Sequence, residues 1–160
     1  MPDCAKTKAS QKGRQLRPAP LPRAAYGFER RLTTRWADND AYGHLNNALY
    51  YSFFDTTITA YLISRGLLQS DAGPMIFVVA NDCAYFRDFS FPEDVESALA
   101  VAEIGRRSVT WRIGLFGTGE DEPRAQGRFV HVCVDRETRR SCEWPQEWRE
   151  AFEAIRLRDG

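Results

Sequence analysis

The chain has 160 residues, of which 43% are hydrophobic and 28% are charged, values that are typical of one globular domain. Its 22 basic and 22 acidic side chains cancel, which excludes a strongly basic nucleic-acid-binding protein, and no apolar run is long enough to predict a membrane span. The four cysteines form no CxxC pair and have no histidine at metal-ligand spacing. We therefore expect free thiols, no metal or cofactor, and a cytoplasmic protein, with a pairing of Cys83 and Cys133 left open.

Charge is unevenly distributed along the chain. Residues 1–25 contain six Lys or Arg, one acid and four of the eight prolines. Such a segment cannot bury enough apolar surface to offset the entropy lost on ordering. We predict a disordered basic extension over residues 1–25 and a folded domain over residues 26–160. Removal of residues 1–24 should then leave folding nearly unchanged.

The predicted elements begin with a strand over residues 27–36, followed by a polar segment rich in turn-forming residues. Residues 47–66 are apolar around most of a helical circumference, which predicts a helix buried on most sides. Asn46 or Asn47 fits the N-cap of this helix, and Gly66 fits its C-terminal stop.

The rest of the chain alternates between apolar and polar residues, as strands do. Strands are predicted over residues 75–87, 94–104, 108–116 and 124–135, followed by a short amphipathic helix over about 145–157. One buried helix followed by four successive strands predicts an α+β domain with an antiparallel sheet packed on that helix.

Reactive side chains are concentrated between the first strand and the buried helix. Residues 38–47 include Asp38, Asp40 and His44, one of only two histidines. The first N–H groups of a helix lack internal partners and suit a carbonyl oxygen that becomes negative during attack. A nearby carboxylate can attack that carbonyl or activate water. Because aspartate and asparagine are also common turn and cap residues, a purely structural loop stays open on composition alone.

The run from Trp36 to Tyr50, with the pattern D-x-D-x-x-G-H-x-N-N-x-x-Y, resembles the hotdog-fold acyl-CoA thioesterases of the 4-hydroxybenzoyl-CoA thioesterase-like superfamily. The resemblance covers about residues 26–140. It implies a five-stranded antiparallel sheet in the order 1-3-4-5-2 wrapped around a long central helix. It also implies hydrolysis of an acyl-CoA to a carboxylic acid and free CoA, without metal or cofactor, in a homodimer or homotetramer with active sites between subunits.

Carried over by position, the resemblance implies that Asp40 is the catalytic carboxylate, acting as nucleophile or as general base. It implies that the backbone N–H near Asn47 polarises the thioester carbonyl. His44 and Asn46 are expected to position the water, the carboxylate or the thioester, and Asp38 more often holds the loop in this pattern.

Further substrate-binding residues are expected on the helix and between two strands. Tyr50 and Asp55 lie on the helix, where Asp55 fits a wall of the acyl pocket, an ion pair or a solvated interface position. Arg106, Arg107 and Ser108 link two strands; this segment fits a charged hairpin or, by the resemblance, a contact with the phosphates of CoA.

Two alternative functions stay open. The chain could be an acyl-ACP thioesterase, which a comparison of acyl-CoA with acyl-ACP hydrolysis would distinguish. It could also be a non-catalytic acyl-CoA-binding module, since a fold does not fix a function. A hydratase of the same fold is disfavoured, because its D-x-N-P-x-H motif places Asp and His five apart. Here Asp40 and Asp38 lie four and six positions before His44.

Overall fold

The computed structural model describes residues 18–68 and 73–158. Its elements are β1 (Phe28–Leu32), α1 (Asn47–Ser64), β2 (Met75–Tyr85), β3 (Val95–Ile104), β4 (Ser108–Phe116), β5 (Ala125–Val134) and α2 (Gln146–Ala154). The strands form one sheet in the order β1-β3-β4-β5-β2, and every neighbouring pair is antiparallel. The predicted α+β hotdog fold and its strand order are therefore confirmed.

α1 begins and ends where its capping residues predict. Asn46 Oδ1 accepts a hydrogen bond from the backbone N–H of Ala48 at 3.0 Å. Gly66 follows the last turn with a φ of 76°, a conformation that glycine adopts without strain. The helix is less buried than its sequence predicts: Asp55 and Ile63 are exposed, because the sheet of a single chain covers one side of the helix only.

The buried side of α1 packs closely on the sheet. Phe54 and Leu62 have no exposed surface, and full burial of one such side chain stabilises the fold by about 2 kcal/mol. Gly127 of β5 makes room for Phe54, since a Cβ there would lie 2.6 Å from the aromatic ring. Thr57 Oγ1 lies 2.7 Å from Ser97 Oγ of β3, which adds a buried polar contact between helix and sheet.

α2 packs at the C-terminal end of α1. The Tyr61 hydroxyl donates a hydrogen bond to the carbonyl oxygen of Ala151. Trp148 and Phe152 of α2 are almost fully buried, and the Phe152 ring meets Trp111 of β4 edge to face.

Within the described residues, no helix is long and apolar enough to cross a membrane.

The segment before β1 is attached to the sheet. The backbone N–H of Leu21 donates to Gln126 Oε1 at 2.9 Å. Arg23 forms an ion pair with Glu96 at 2.6 Å, and its guanidinium lies 4.7 Å from the centre of the Phe116 ring. These contacts hold a segment that composition alone predicts to be disordered.

These contacts involve Leu21 and Arg23, which lie within the predicted extension, and the partner of Arg23 is an acid of β3. The division of the chain at residue 26 stays a prediction. Residues 1–17 lie outside the described residues, so their disorder stays a prediction.

The outer edge of the sheet at β2 is apolar and exposed. Phe77, Val78 and Val79 have exposed fractions of 41%, 43% and 58%, and the register shifts between Val78 and Ala80. Long apolar edge strands tend to pair with another chain unless something covers them. Among the described residues, β2 therefore presents an exposed apolar edge of the sheet.

Candidate active site

Residues 38–46, here called the site hairpin, fold back on themselves between β1 and α1. The backbone N–H of Asp40 donates to the carbonyl oxygen of His44 at 2.7 Å. Gly43 turns the chain with a φ of 81°, which few other residues adopt. The predicted reactive side chains therefore lie on one tight turn rather than along an extended loop.

The site hairpin is anchored to the loop that follows β2. Leu45 N–H donates to the carbonyl oxygen of Phe89 at 2.7 Å. Asn39 Oδ1 accepts a hydrogen bond from the backbone N–H of Phe91 at 3.0 Å. These two bonds fix the position of the hairpin relative to the sheet, so its side chains are held by the fold.

Asp38 is buried, with only 2% of its surface exposed. Its carboxylate accepts hydrogen bonds from the backbone N–H of Arg35 at 2.8 Å and from the guanidinium of Arg35 at 3.0 and 2.7 Å. These bonds lower the pKa of the Asp38 carboxyl, because they stabilise its charged form. Asp38 therefore holds the loop, as its place in the motif predicts.

Asp40 is bound differently. Its Oδ1 accepts hydrogen bonds from the backbone N–H groups of Tyr42 at 2.8 Å and His44 at 3.2 Å. Its Oδ2 accepts none from the part of the chain that the structure describes. One oxygen thus fixes the orientation of the carboxylate, and the other is available to a water molecule or to a thioester carbon.

The backbone N–H groups at the N-terminus of α1 are only partly paired. The Asn46 side chain takes the N–H of Ala48, and the Asn46 carbonyl takes the N–H of Leu49 at 2.9 Å. The N–H of Asn47 has no partner among residues 18–68 and 73–158. A free N–H at the positive end of a helix is suited to a developing oxyanion.

The imidazole of His44 lies beside Asp88, in the loop that follows β2. His44 Nε2 lies 3.7 Å from Asp88 Oδ2, and both side chains are largely exposed. Sequence reasoning missed Asp88, because a single acid after a strand carries no motif. Only the anchoring of the site hairpin against that loop brings it to His44.

Tyr50 lies beneath the first turn of α1 rather than on an open surface. Its ring meets Tyr85 edge to face at 5.0 Å and Phe89 at 6.2 Å. Burial raises the pKa of Tyr50 to about 12. The Tyr85 hydroxyl lies 3.5 Å from the Asn47 carbonyl oxygen. Tyr85 and Phe89 thus support the helix start. The period-two pattern of β2 does not distinguish Tyr85 from ordinary sheet residues, and Phe89 lies in the loop after that strand.

Asp55 lies on the exposed side of α1 in a shallow groove of about 300 Å³. The groove is lined by Arg30, Asp55, Thr56, Thr59, Ala60 and Ile63. The negative charge of Asp55 also affects the pKa of His131 of β5. The Nδ1 atom of His131 accepts a hydrogen bond from Trp111 at 3.0 Å. Burial lowers the pKa of His131, and the charge of Asp55 partly opposes this effect.

The predicted phosphate-binding residues lie at the other end of the sheet, in the turn between β3 and β4, here called the arginine turn (residues 105–108). The backbone carbonyl oxygen of Ser108 closes this turn by accepting a hydrogen bond from the backbone N–H of Gly105 at 2.8 Å. Arg106 lies 3.5 Å from Glu143 and Arg107 lies 3.3 Å from Ser141, and both side chains are exposed.

A single chain does not bring the two groups together. β3 pairs with β1 beside the site hairpin and ends at the arginine turn. Ten strand residues separate the two ends by about 30 Å.

Among residues 18–68 and 73–158, no group of three or more His, Cys, Asp or Glu side chains is arranged to hold a metal ion.

Solved structures of other proteins share this fold. The PA5185 protein from Pseudomonas aeruginosa strain PAO1 is 42% identical, with a TM-score of 0.82 over 87% of this chain and 98% of that one. Slr0204, a 1,4-dihydroxy-2-naphthoyl-CoA thioesterase from Synechocystis, is 16% identical, with a TM-score of 0.70 over 78% and 94%.

The hypothetical protein SAV2348 from Staphylococcus aureus, solved in complex with CoA, is 15% identical, with a TM-score of 0.75 over 83% of this chain and 87% of that one. The family model of the thioesterase-like superfamily matches residues 34–152, a range that contains the site hairpin, α1, the strands β2 to β5 and most of α2. The chain therefore belongs to the thioesterase-like superfamily.

Proposed function

We propose that the chain hydrolyses acyl-CoA thioesters to a carboxylic acid and free CoA. Membership of the thioesterase-like superfamily supports hydrolysis of acyl thioesters in general. One observation carries the proposal further: the hairpin that fixes Asp40 by a single oxygen leads directly into a helix whose Asn47 N–H is unpaired. A carboxylate can attack a thioester or activate water, and an unpaired N–H can stabilise the oxyanion that forms, so the two groups together suit thioester hydrolysis.

The groups of the site hairpin have separate roles in this reaction. The N–H of Asn47 polarises the thioester carbonyl and stabilises its developing negative charge. Asp40 Oδ2 can attack the carbonyl carbon, which gives a mixed anhydride and expels the CoA thiolate; water then hydrolyses the anhydride to the carboxylic acid, restores Asp40 and supplies the proton of the thiol. Alternatively, Asp40 Oδ2 takes a proton from a water that attacks the carbonyl carbon, and that proton passes to the departing CoA sulfur. Asn46 caps the helix that carries the donor, and the N–H of His44 orients Asp40.

A homodimer would unite the two ends of the site. Pairing of β2 with β2 of a second copy covers the exposed apolar edge formed by Phe77, Val78 and Val79. The two-fold axis of such a dimer reverses the strand direction of the partner. The arginine turn of one subunit then lies at the same end of the joined sheet as the site hairpin of the other. On this proposal, Arg106, Arg107 and Ser108 serve the active site of the partner subunit.

The arginine turn suits the nucleotide of CoA by charge. Arg106 and Arg107 are exposed, and their described partners are a carboxylate at 3.5 Å and a hydroxyl at 3.3 Å. Guanidinium groups bind phosphates through paired N–H donors. CoA is proposed as the carrier on this ground, and the CoA bound to SAV2348 lends support. We also propose two substrate-binding residues on α1: Tyr50, at the start of the helix, and Asp55, in the groove beside it.

The test compares carriers as well as acyl groups. Short, long and aromatic acyl groups are offered as CoA thioesters, as ACP thioesters and as thioesters of a small thiol, and release of free thiol is followed. The proposal expects higher kcat/KM for acyl-CoA than for the other two carriers with the same acyl group. A preference for acyl-ACP would favour the alternative carrier. Tight acyl-CoA binding without turnover would favour a non-catalytic binding module.

The compartment is proposed to be the cytoplasm. The three described cysteines are free thiols, as is usual where glutathione and thioredoxin keep proteins reduced.

A further inference from the structure

Cys133 and Cys142 lie side by side where β5 ends. The chain turns after β5 and pairs back on it, with Val134 opposite Ser141. The backbone N–H of Cys142 donates to the carbonyl oxygen of Cys133 at 3.0 Å, and the two Sγ atoms are 2.9 Å apart. Residues that face each other across antiparallel strands have Cα atoms about 4.5–5.5 Å apart, a separation that a disulfide can span.

The two thiols differ in their access to solvent. Cys133 has no exposed surface, and burial together with the neighbouring thiol raises its pKa to about 12. Cys142 is partly exposed and lines a cavity of about 500 Å³. The cavity wall also includes Arg136, Glu143 and Pro145. A small solute can therefore reach Cys142 first, and Cys133 only through it.

The third described cysteine is too distant to take part. β2 places Cys83 opposite Gly127 of β5, whereas Cys133 faces Ile76. Six strand residues separate Gly127 from Cys133, which is about 20 Å. The pairing of Cys83 with Cys133 that the sequence leaves open does not fit the register of the sheet. Cys83 instead provides a matched control.

We propose that Cys142 and Cys133 form a reversible disulfide by exchange with a low-molecular-weight disulfide such as oxidised glutathione. The Cys142 thiolate attacks one sulfur of the external disulfide, which forms a mixed disulfide and releases one thiol. Cys133 then loses its proton as its sulfur attacks the Cys142 sulfur, which releases the second thiol. Two protein thiols are oxidised, one external disulfide is reduced, and the two S–H protons end on the two released thiols.

The disulfide would tie the segment of residues 135–141 to β5 next to the arginine turn. The carbonyl oxygen of Arg107 accepts the N–H of Cys133 at 2.9 Å, and the Arg107 guanidinium donates to Ser141 at 3.3 Å. Both contacts of Arg107 therefore lie beside the two cysteines. Formation of the bond does not depend on the proposed thioesterase activity and can be tested without a substrate.

The experiment incubates the reduced full-length protein with mixtures of oxidised and reduced glutathione, traps free thiols by alkylation and maps the peptides. The expected result is a Cys133–Cys142 link with the loss of two hydrogen atoms per chain, fully reversed by excess reduced glutathione. Cys83→Ser should form the same link to the same extent. Cys142→Ser should form no link and should leave Cys133 unmodified, because the entry point is gone.

A mixed glutathione disulfide that accumulates at Cys142 in Cys133→Ala would support the order of the two steps. The proposal is overturned if both thiols of the folded wild-type protein remain free, and are therefore alkylated, at the highest ratio of oxidised to reduced glutathione. It is also overturned if the links found involve Cys83 or Cys4 instead.

Discussion

Asp38 and Arg35 are joined by three hydrogen bonds at the base of the site hairpin, one from the backbone N–H of Arg35 and two from its guanidinium. Asp40, two residues later, receives its two bonds through one oxygen only. The two aspartates of the D-x-D pattern therefore differ in what they can do. Both oxygens of Asp38 are bonded to Arg35, whereas Oδ2 of Asp40 has no hydrogen-bond partner among the described residues.

Asp38→Asn should lower the free energy of unfolding by about 1 kcal/mol, since an amide replaces a charged acceptor. Because the bonds to Arg35 lower the pKa of Asp38, the stabilisation is complete above the ordinary aspartate pKa of about 4. It is lost as the pH falls through the lowered pKa. Urea unfolding at several pH values measures this. Equal stability of the two proteins at neutral pH would contradict a structural role for Asp38.

Arg23→Ala should lower the free energy of unfolding by about 1–3 kcal/mol, because it leaves Glu96 without its partner and removes the cation from the Phe116 ring. Removal of residues 1–17 is the matched control and should leave the melting temperature nearly unchanged. Thermal unfolding of both proteins provides the measurement. A large loss on removal of residues 1–17, with none for Arg23→Ala, would show that the docked segment was wrongly identified.

The fold could be predicted from the sequence because its local signals agree with one another. The alternation of Val109, Trp111 and Ile113 with polar residues marks β4, and all three are buried. The asparagine cap and the glycine stop define α1 to within two residues. The strand order came from the resemblance, since no local pattern states which strands are neighbours.

Parts of the site could not be predicted because they depend on contacts between distant segments. Asp88 and Phe89 reach the site hairpin only through the turn after β2. The contacts of residues 21–25 with the sheet depend on residues far along the sequence, such as Glu96 of β3 and Gln126 of β5. The separation of Asp40 from Arg106 follows from the length of β3, which the motif alone does not reveal.

Replacement of both Arg106 and Arg107 by Ala should raise KM for acyl-CoA, because charge-assisted bonds to the phosphates are lost. A thioester of a small thiol should be hydrolysed equally by the variant and the parent protein. Added salt should weaken binding of acyl-CoA by the wild type more than by the variant. An equal loss on both substrates would indicate damaged folding and would contradict a role in nucleotide binding.

Mixing two defective variants tests whether the site is shared between subunits. Asp40→Asn lacks the carboxylate, and the double variant Arg106→Ala, Arg107→Ala lacks the phosphate contacts. If each site takes its carboxylate from one subunit and its arginines from the other, a heterodimer contains one intact site and one doubly defective site. Activity at low acyl-CoA concentration should therefore rise when the two proteins are unfolded together and refolded. Activity that stays at the average of the two parents would contradict the shared site.

The most direct test of the proposed mechanism is the kcat of Asp40→Asn for acyl-CoA. The amide can still accept the N–H bonds of Tyr42 and His44, so the fold, the oligomer and substrate binding should survive. It can act neither as nucleophile nor as base, so kcat should fall by about 10²-fold or more. Asp38→Asn, the matched control, should lose stability but keep far more of its kcat. If Asp40→Asn retains most of its activity while Asp38→Asn loses it, the assignment of Asp40 as the catalytic carboxylate is wrong.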